Sequence, residues 1–204
     1  MSRRLLAILA LLAVAFAILT ALAVQSGVLT PRQQQTAAIG GPFQMIDQTG
    51  ANVDQSALKG KWSAVFFGFT YCPDACPTTL LALGQTEKLL GDKARNFQTV
   101  FVSLDPARDT PDQLRTYLDN ETFPRKVLAL TGNQAQVDQI AKAYRVYHQK
   151  SGTGPDYVID HSTITYLMNP RGELACPLSY GLTPEQMAAK IEAAMKQGSR
   201  AQSC

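Results

Sequence analysis

Residues 62–80 read WSAVFFGFTYCPDACPTTL. The first six, Trp62–Phe67, are a nearly unbroken apolar run of strand length. Apolar runs without polar alternation mark strands buried on both faces, as in the middle of α/β sheets. The run leads into Cys72 and Cys76, with three residues between them and a proline after each. Pro77, with Thr78 and Thr79, suits a helix start, since proline is tolerated in a first turn. The spacing of Leu80, Leu83, Leu89 and Leu90 predicts a helix over Thr78–Leu90. Strand, cysteine turn and helix form the unit around which the rest is arranged.

Downstream, Phe97–Leu104 predicts a second strand, and Thr110-Pro111 opens a helix to about Asp119, with Thr110 as N-cap. Val127–Leu130 is a short strand and Asn133–Tyr144 a helix with Val137, Ile140, Ala141 and Tyr144 on one face. Val146–His148 predicts a brief strand, followed by a polar loop over 149–156. Ser162–Met168 is a β-branched strand that turns at 169–172 into Glu173–Cys176, and Pro184–Gln197 is the last helix, with Met187, Ile191, Ala194 and Met195 inward. Upstream, Phe43–Ile46 is a short strand closed by a turn at 47–50. Alternating strands and helices need parallel crossovers, and the final pair of strands is an antiparallel hairpin. The expected fold is an α/β thioredoxin-like sandwich with extra N-terminal strand elements and a β-hairpin, occupying 43–204.

Residues 5–24 carry Thr20 as their only polar side chain. Twenty helical residues span about 30 Å, one bilayer core. Arg3 and Arg4 belong on the cytoplasmic side, so residues 1–4 are read as a cytoplasmic N-terminus, 5–24 as a transmembrane anchor and the rest as exported. A cleaved signal peptide is the rival, because Ala21-Leu22-Ala23 resembles a cleavage site; the apolar run is longer than the roughly 7–15 residues of a signal core. Residues 25–42, polar with Gly, Pro and three consecutive Gln, read as a linker. The front end lacks the Arg/Ser-rich character of a mitochondrial transit peptide, which favours a single-pass protein of a bacterial inner membrane with its domain in the periplasm.

The exported part carries 17 basic and 16 acidic residues and no basic block, which disfavours a nucleic-acid partner. In an oxidising compartment a close cysteine pair is a static disulfide, a redox couple or a metal site. A four-residue separation closes too small a loop for a disulfide to gain much chain entropy. Redox motifs of thioredoxin type have two residues between their cysteines rather than three. Two thiolates near a helix start suit Cu(I), and a nearby imidazole extends the site to Cu(II). Zinc in a structural site needs four ligands, which are not found. The chain has two histidines, His148 and His161. If Ser162–Met168 is the strand that follows the cis-proline loop of thioredoxins, His161 faces the cysteine turn. The scattered Met45, Met168, Met187 and Met195, like Trp62, Phe66, Phe67 and Phe69, read as core.

The motifs FxYCPxxCPxxL at 69–80, SLDPARDTP at 103–111 and DHSTITYLMNPRG at 160–172 together resemble the Sco/SenC family, over about Phe43 to Lys196. These are membrane-anchored copper proteins of the thioredoxin superfamily, involved in assembling the copper A centre of cytochrome c oxidase. The resemblance implies Cys72 and Cys76 as thiolate metal ligands and His161 as the third ligand, with Cu(I) and Cu(II) as the metals. It implies as partners the copper A-bearing oxidase subunit, other copper chaperones and thiol reductants. It also places Asp105 near the site, as an outer-shell group or a helix-start cap. Asp160 is a candidate to fix the His161 ring, and His148 is expected to be structural. The alternative function is a thiol–disulfide oxidoreductase in which Cys72 and Cys76 are the catalytic redox pair. A peroxiredoxin is disfavoured, since its Pro-x-x-x-Thr-x-x-Cys pattern is missing. Cys176 and Cys204 lie outside the family motifs and are read as a structural disulfide, a free tail thiol or an accessory copper ligand.

Overall fold

The apolar run at 62–68 is buried at every position and forms an interior strand of a seven-stranded mixed sheet. In this computed structural model, residues 3–25 and 38–204 are described; residues 1–2 and most of the expected linker, 26–37, lie outside the described residues. The elements in chain order are α1 (Arg3–Gln25), β1 (Gln44–Asp47), β2 (Asn52–Asp54), β3 (Trp62–Gly68), α2 (Ala75–Leu90), β4 (Phe97–Ser103), α3 (Pro111–Leu118), β5 (Val127–Thr131), α4 (Gln134–Tyr144), β6 (His148–Ser151), β7 (Val158–His161), β8 (Thr165–Met168), β9 (Leu174–Leu178) and α5 (Pro184–Gln197).

The sheet order is β2-β1-β5-β4-β3-β8-β9. The β3–β4 and β4–β5 pairs are parallel, as expected where a helix returns the chain, and β8 runs antiparallel to β3. Because strand side chains alternate between faces, Ala64 and Phe66 enter one core with Leu80 and Leu83 of α2 and Ile191 of α5. Val65 and Phe67 enter the other with Val137, Ile140 and Tyr144 of α4. Each such fully buried large side chain contributes about 1.5–3 kcal/mol of hydrophobic stabilisation. Helices on both faces of a mixed sheet are the thioredoxin-like arrangement expected from the sequence.

Thr110, Asn133 and Thr183 each accept a hydrogen bond from the backbone N–H three residues on, which fixes the starts of α3, α4 and α5. Three sequence expectations need correction. Helix α2 begins at Ala75 rather than Thr78, so Cys76 is in its first turn and Pro77 follows it there, where a missing N–H is no loss. Leu89 is exposed. The loop expected at 149–156 is strand over its first three residues: β6, in place of the brief strand expected at Val146–His148, pairs antiparallel with β7 outside the main sheet. The following strand accordingly begins at Thr165 rather than Ser162.

Cys176 of β9 and Cys204 form a disulfide, with Cα atoms 5.9 Å apart. The buried Asn169 side chain also donates to the Ala201 carbonyl, so the tail is fastened at two points. Helix α1, taken by itself, is long and apolar enough over Arg3–Leu22 to cross a membrane. Its Thr20 hydroxyl donates to the Ala17 carbonyl, so the helix satisfies its own polar side chain.

Candidate metal centre

Beyond β3 the chain turns sharply, and the Cys72 amide donates to the Phe69 carbonyl. Gly68 makes the close approach of Cys76 possible. A Cβ there would overlap the sulfur of Cys76 and lie 3.0 Å from the Phe101 ring, so Cys76 packs directly against the strand backbone. Cys76 is buried, Cys72 is half-buried, and both are free thiols. The turn is held from below by Asp109, which is fully buried. Its carboxylate accepts from the Thr70 amide, the Thr70 hydroxyl at 2.7 Å and the Ser103 hydroxyl at 2.6 Å. Burial pushes the Asp109 pKa up, against the pull of these donors.

His161, the last residue of β7, reaches the cysteines from the other side. Its Nε2 lies 3.9 Å from Cys76 Sγ, and the ligand atoms of Cys72, Cys76 and His161 all fall within 4.8 Å of one another. Three donors at about 2.0–2.3 Å from one ion in a trigonal arrangement stand roughly 3.5–4 Å apart. The cluster therefore needs only small adjustments to hold a metal. Nδ1 of His161 is 2.9 Å from the Ser162 carbonyl oxygen. A carbonyl only accepts, so Nδ1 carries a proton, and Nε2 is the ring nitrogen that faces the sulfurs. Phe69 meets the imidazole edge to face, with centroids 5.9 Å apart.

The two thiols differ in charge. The hydrogen bond from Cys76, opposed by burial and helped by His161 and by the amides of Asp74 and Cys76, brings the Cys72 pKa down to about 3. The same bond to Cys72, together with burial and the charge of Cys72, pushes Cys76 up. The pair thus holds one proton, on the buried sulfur, and presents a thiolate on the half-buried one. Two soft sulfurs and an imidazole, with no carboxylate among them, suit copper better than hard cations.

The structure brings Cys72, Cys76 and His161 together and leaves the other candidates outside. Asp160 is exposed, so its expected part in fixing the imidazole passes to the Ser162 carbonyl. His148 pairs with His161 in the ribbon register, but its Nε2 is 3.3 Å from Asp138 Oδ1 and it is not part of the donor cluster. Asp105 is buried and does not cap α3; it binds Arg108 at 2.5 Å and accepts from the Tyr157 hydroxyl at 2.6 Å. Sequence reasoning assigns no role to Arg108, Asp109 or Tyr157, although the first two lie within SLDPARDTP.

A family model described as SCO1/SenC matches residues 31–196. The chain is 41% identical over 136 residues to "Protein SCO1 homolog 1, mitochondrial" of Arabidopsis thaliana, a match covering 66% of this chain and 40% of that protein. It is 39% identical over 157 residues to "Protein SenC" of Rhodobacter capsulatus, covering 76% of this chain and 70% of the relative. Among solved structures, Bradyrhizobium japonicum ScoI with copper bound is similar at 40% identity and a TM-score of 0.69, covering 74% of this chain and 96% of that one. The chain thus spans less than half of the plant relative.

Proposed function

The chain belongs to the SCO1/SenC family, and from that premise we propose that it is a membrane-anchored copper metallochaperone. Cys72 and Cys76 hold Cu(I) through two thiolates, and His161 Nε2 completes a two-sulfur, one-nitrogen site for Cu(II). The recipient is the copper A centre of cytochrome c oxidase. Helix α1 tethers the domain to a bacterial inner membrane, with the site on the periplasmic side. The observation that carries this reading is the convergence of three soft donors within 4.8 Å. The half-buried position of Cys72 gives the cargo a way out: an incoming ligand reaches the metal on the Cys72 side while Cys76 and His161 still hold it.

Copper titration of the reduced full chain in detergent tests this, with absorption following the sulfur-to-copper bands. One equivalent of copper should bind, and Cys72→Ser should abolish the binding. Undiminished binding by that variant contradicts the site. Transfer is tested by mixing the loaded chain with a copper-free, soluble copper A domain. Appearance of the copper A spectrum supports delivery; retention of copper by this chain contradicts it.

The asymmetry of the two thiols favours a second reading, as a thiol–disulfide oxidoreductase. The Cys72 thiolate attacks a partner disulfide and one partner sulfur leaves as thiolate. Cys76 then loses its proton and attacks the Cys72 sulfur, which releases the second partner sulfur and closes Cys72–Cys76. Two electrons pass to the partner, and this chain is oxidised by two. Reduction of a partner disulfide by copper-free His161→Ala at the wild-type rate supports this chemistry, because exchange needs no imidazole.

A further inference from the structure

His161 lies on a ribbon that shares no strand pairing with the main sheet. Isolated two-stranded ribbons are marginal, so the position of the imidazole depends on what fastens β6–β7 to the rest. Tyr157 and Ile159 bury their side chains in the α4-side core. The polar fastening comes from the Tyr157 hydroxyl on Asp105, from His148 Nε2 on Asp138 and, with the most contacts, from one side chain, Arg108. Arg108 Nε pairs with the buried Asp105 carboxylate, just past the end of β4. Its Nη1 and Nη2 each donate at 3.0 Å, to the Pro155 and Tyr157 carbonyls on the approach to β7. The guanidinium lies 3.5 Å from the centroid of the Tyr157 ring and 4.6 Å from that of Tyr71, the neighbour of Cys72. One planar group therefore touches the sheet, the cysteine turn and the ribbon.

We infer that Arg108 is a positioning residue that holds His161 over the cysteine pair and so sets the preference of the site between Cu(II) and Cu(I). The inference rests on the copper reading above. Cu(I) is satisfied by two thiolates that the turn fixes by itself, whereas Cu(II) needs the imidazole as well. Loosening the ribbon therefore weakens one oxidation state and spares the other. Lysine cannot replace the fork, because a single ammonium cannot bridge the carboxylate and both carbonyls in one plane.

The test uses the full chain in detergent with copper alone as ligand, comparing wild type with Arg108→Lys and Arg108→Gln. Removing outer-shell partners of metal ligands typically costs about 10–100-fold in affinity. That loss is expected for Cu(II) in both variants, with weakened nitrogen coupling in paramagnetic resonance, while Cu(I) affinity is unchanged. Unchanged Cu(I) binding doubles as evidence that the variant is folded. If loss of the guanidinium unfolds the chain by orphaning the Asp105 carboxylate, the double variant Asp105→Asn/Arg108→Gln removes the buried charge and carries the same expectation. Undiminished Cu(II) affinity and nitrogen coupling overturns the inference alone. An equal fall in Cu(I) and Cu(II) affinity also overturns it, by making Arg108 a general structural residue. Absence of nitrogen coupling in the wild type overturns the copper reading, and this inference with it.

Discussion

Cys72 and Cys76 hang from the junction of β3 and α2, where β3 is laddered on both sides, to β4 over seven residue pairs and to β8 over four. His161 hangs from a ribbon of four residue pairs that is hydrogen-bonded to no strand of the main sheet. The sulfurs are fixed by backbone; the imidazole is fixed by side chains, through Tyr157, Ile159 and the Arg108 clamp. A site divided in this way has a rigid half that keeps its geometry with or without metal and an adjustable half that engages when the metal demands a third donor. On the proposed reading as a carrier, which must both bind and release, the adjustable half is the useful one.

The comparison can be broken from the rigid side first. Cys76→Ser removes a donor that nothing else nearby replaces, and copper binding in both oxidation states should be lost in the titration. Next in size is Cys176→Ser. A disulfide closing a 28-residue separation is worth about 3.6 kcal/mol in the chain-entropy account. Denaturant unfolding should show that loss while copper binding stays intact, and the oxidised, unfolded variant should gain one free thiol. An unchanged thiol count contradicts the pairing. Gly68→Ala forces a methyl onto the Cys76 sulfur, and overpacking of this kind costs about 1–3 kcal/mol. Its copper affinity should fall as well, unlike that of the disulfide variant.

A smaller effect separates the two sulfurs by pH. The folded pKa of Cys72, about 3, lies below its ordinary value of 9.0, so between these limits the unfolded chain binds more protons than the folded one. The stabilisation from this group is therefore complete above the ordinary value and declines as pH falls toward 3. Alkylation of reduced, metal-free protein by iodoacetamide should modify Cys72 first, at a rate nearly constant from alkaline pH to pH 5. A tenfold fall in rate per pH unit across that range would mark an ordinary thiol.

The rigid half was the legible one. Trp62–Phe67 has the nearly unbroken apolar character of a doubly buried strand, and Thr110, read as the N-cap of α3, fills that place. Pro77 misplaced the start of α2 because proline is accepted throughout a helix's first turn and does not say which position it fills. The ribbon was hidden for a different reason. His148–Ser151 reads HQKS, with three of its four residues exposed, and shows no alternation to mark a strand. The Arg108 clamp joins residues 47 and 49 positions apart through backbone carbonyls, which leave no trace in side-chain chemistry. His161 is legible only through what faces the cysteine turn in such a fold; the Ser162 carbonyl that orients it is a backbone group and leaves no mark in the sequence.

All of this turns on the imidazole at 161 joining the two sulfurs on one ion. Paramagnetic resonance of the Cu(II)-loaded full chain, wild type against His161→Ala, addresses it directly. The wild type should show nitrogen coupling together with sulfur ligation, and the variant should lose the nitrogen and tight Cu(II) binding while still taking up Cu(I). Identical Cu(II) spectra from the two proteins would mean that His161 is not a ligand.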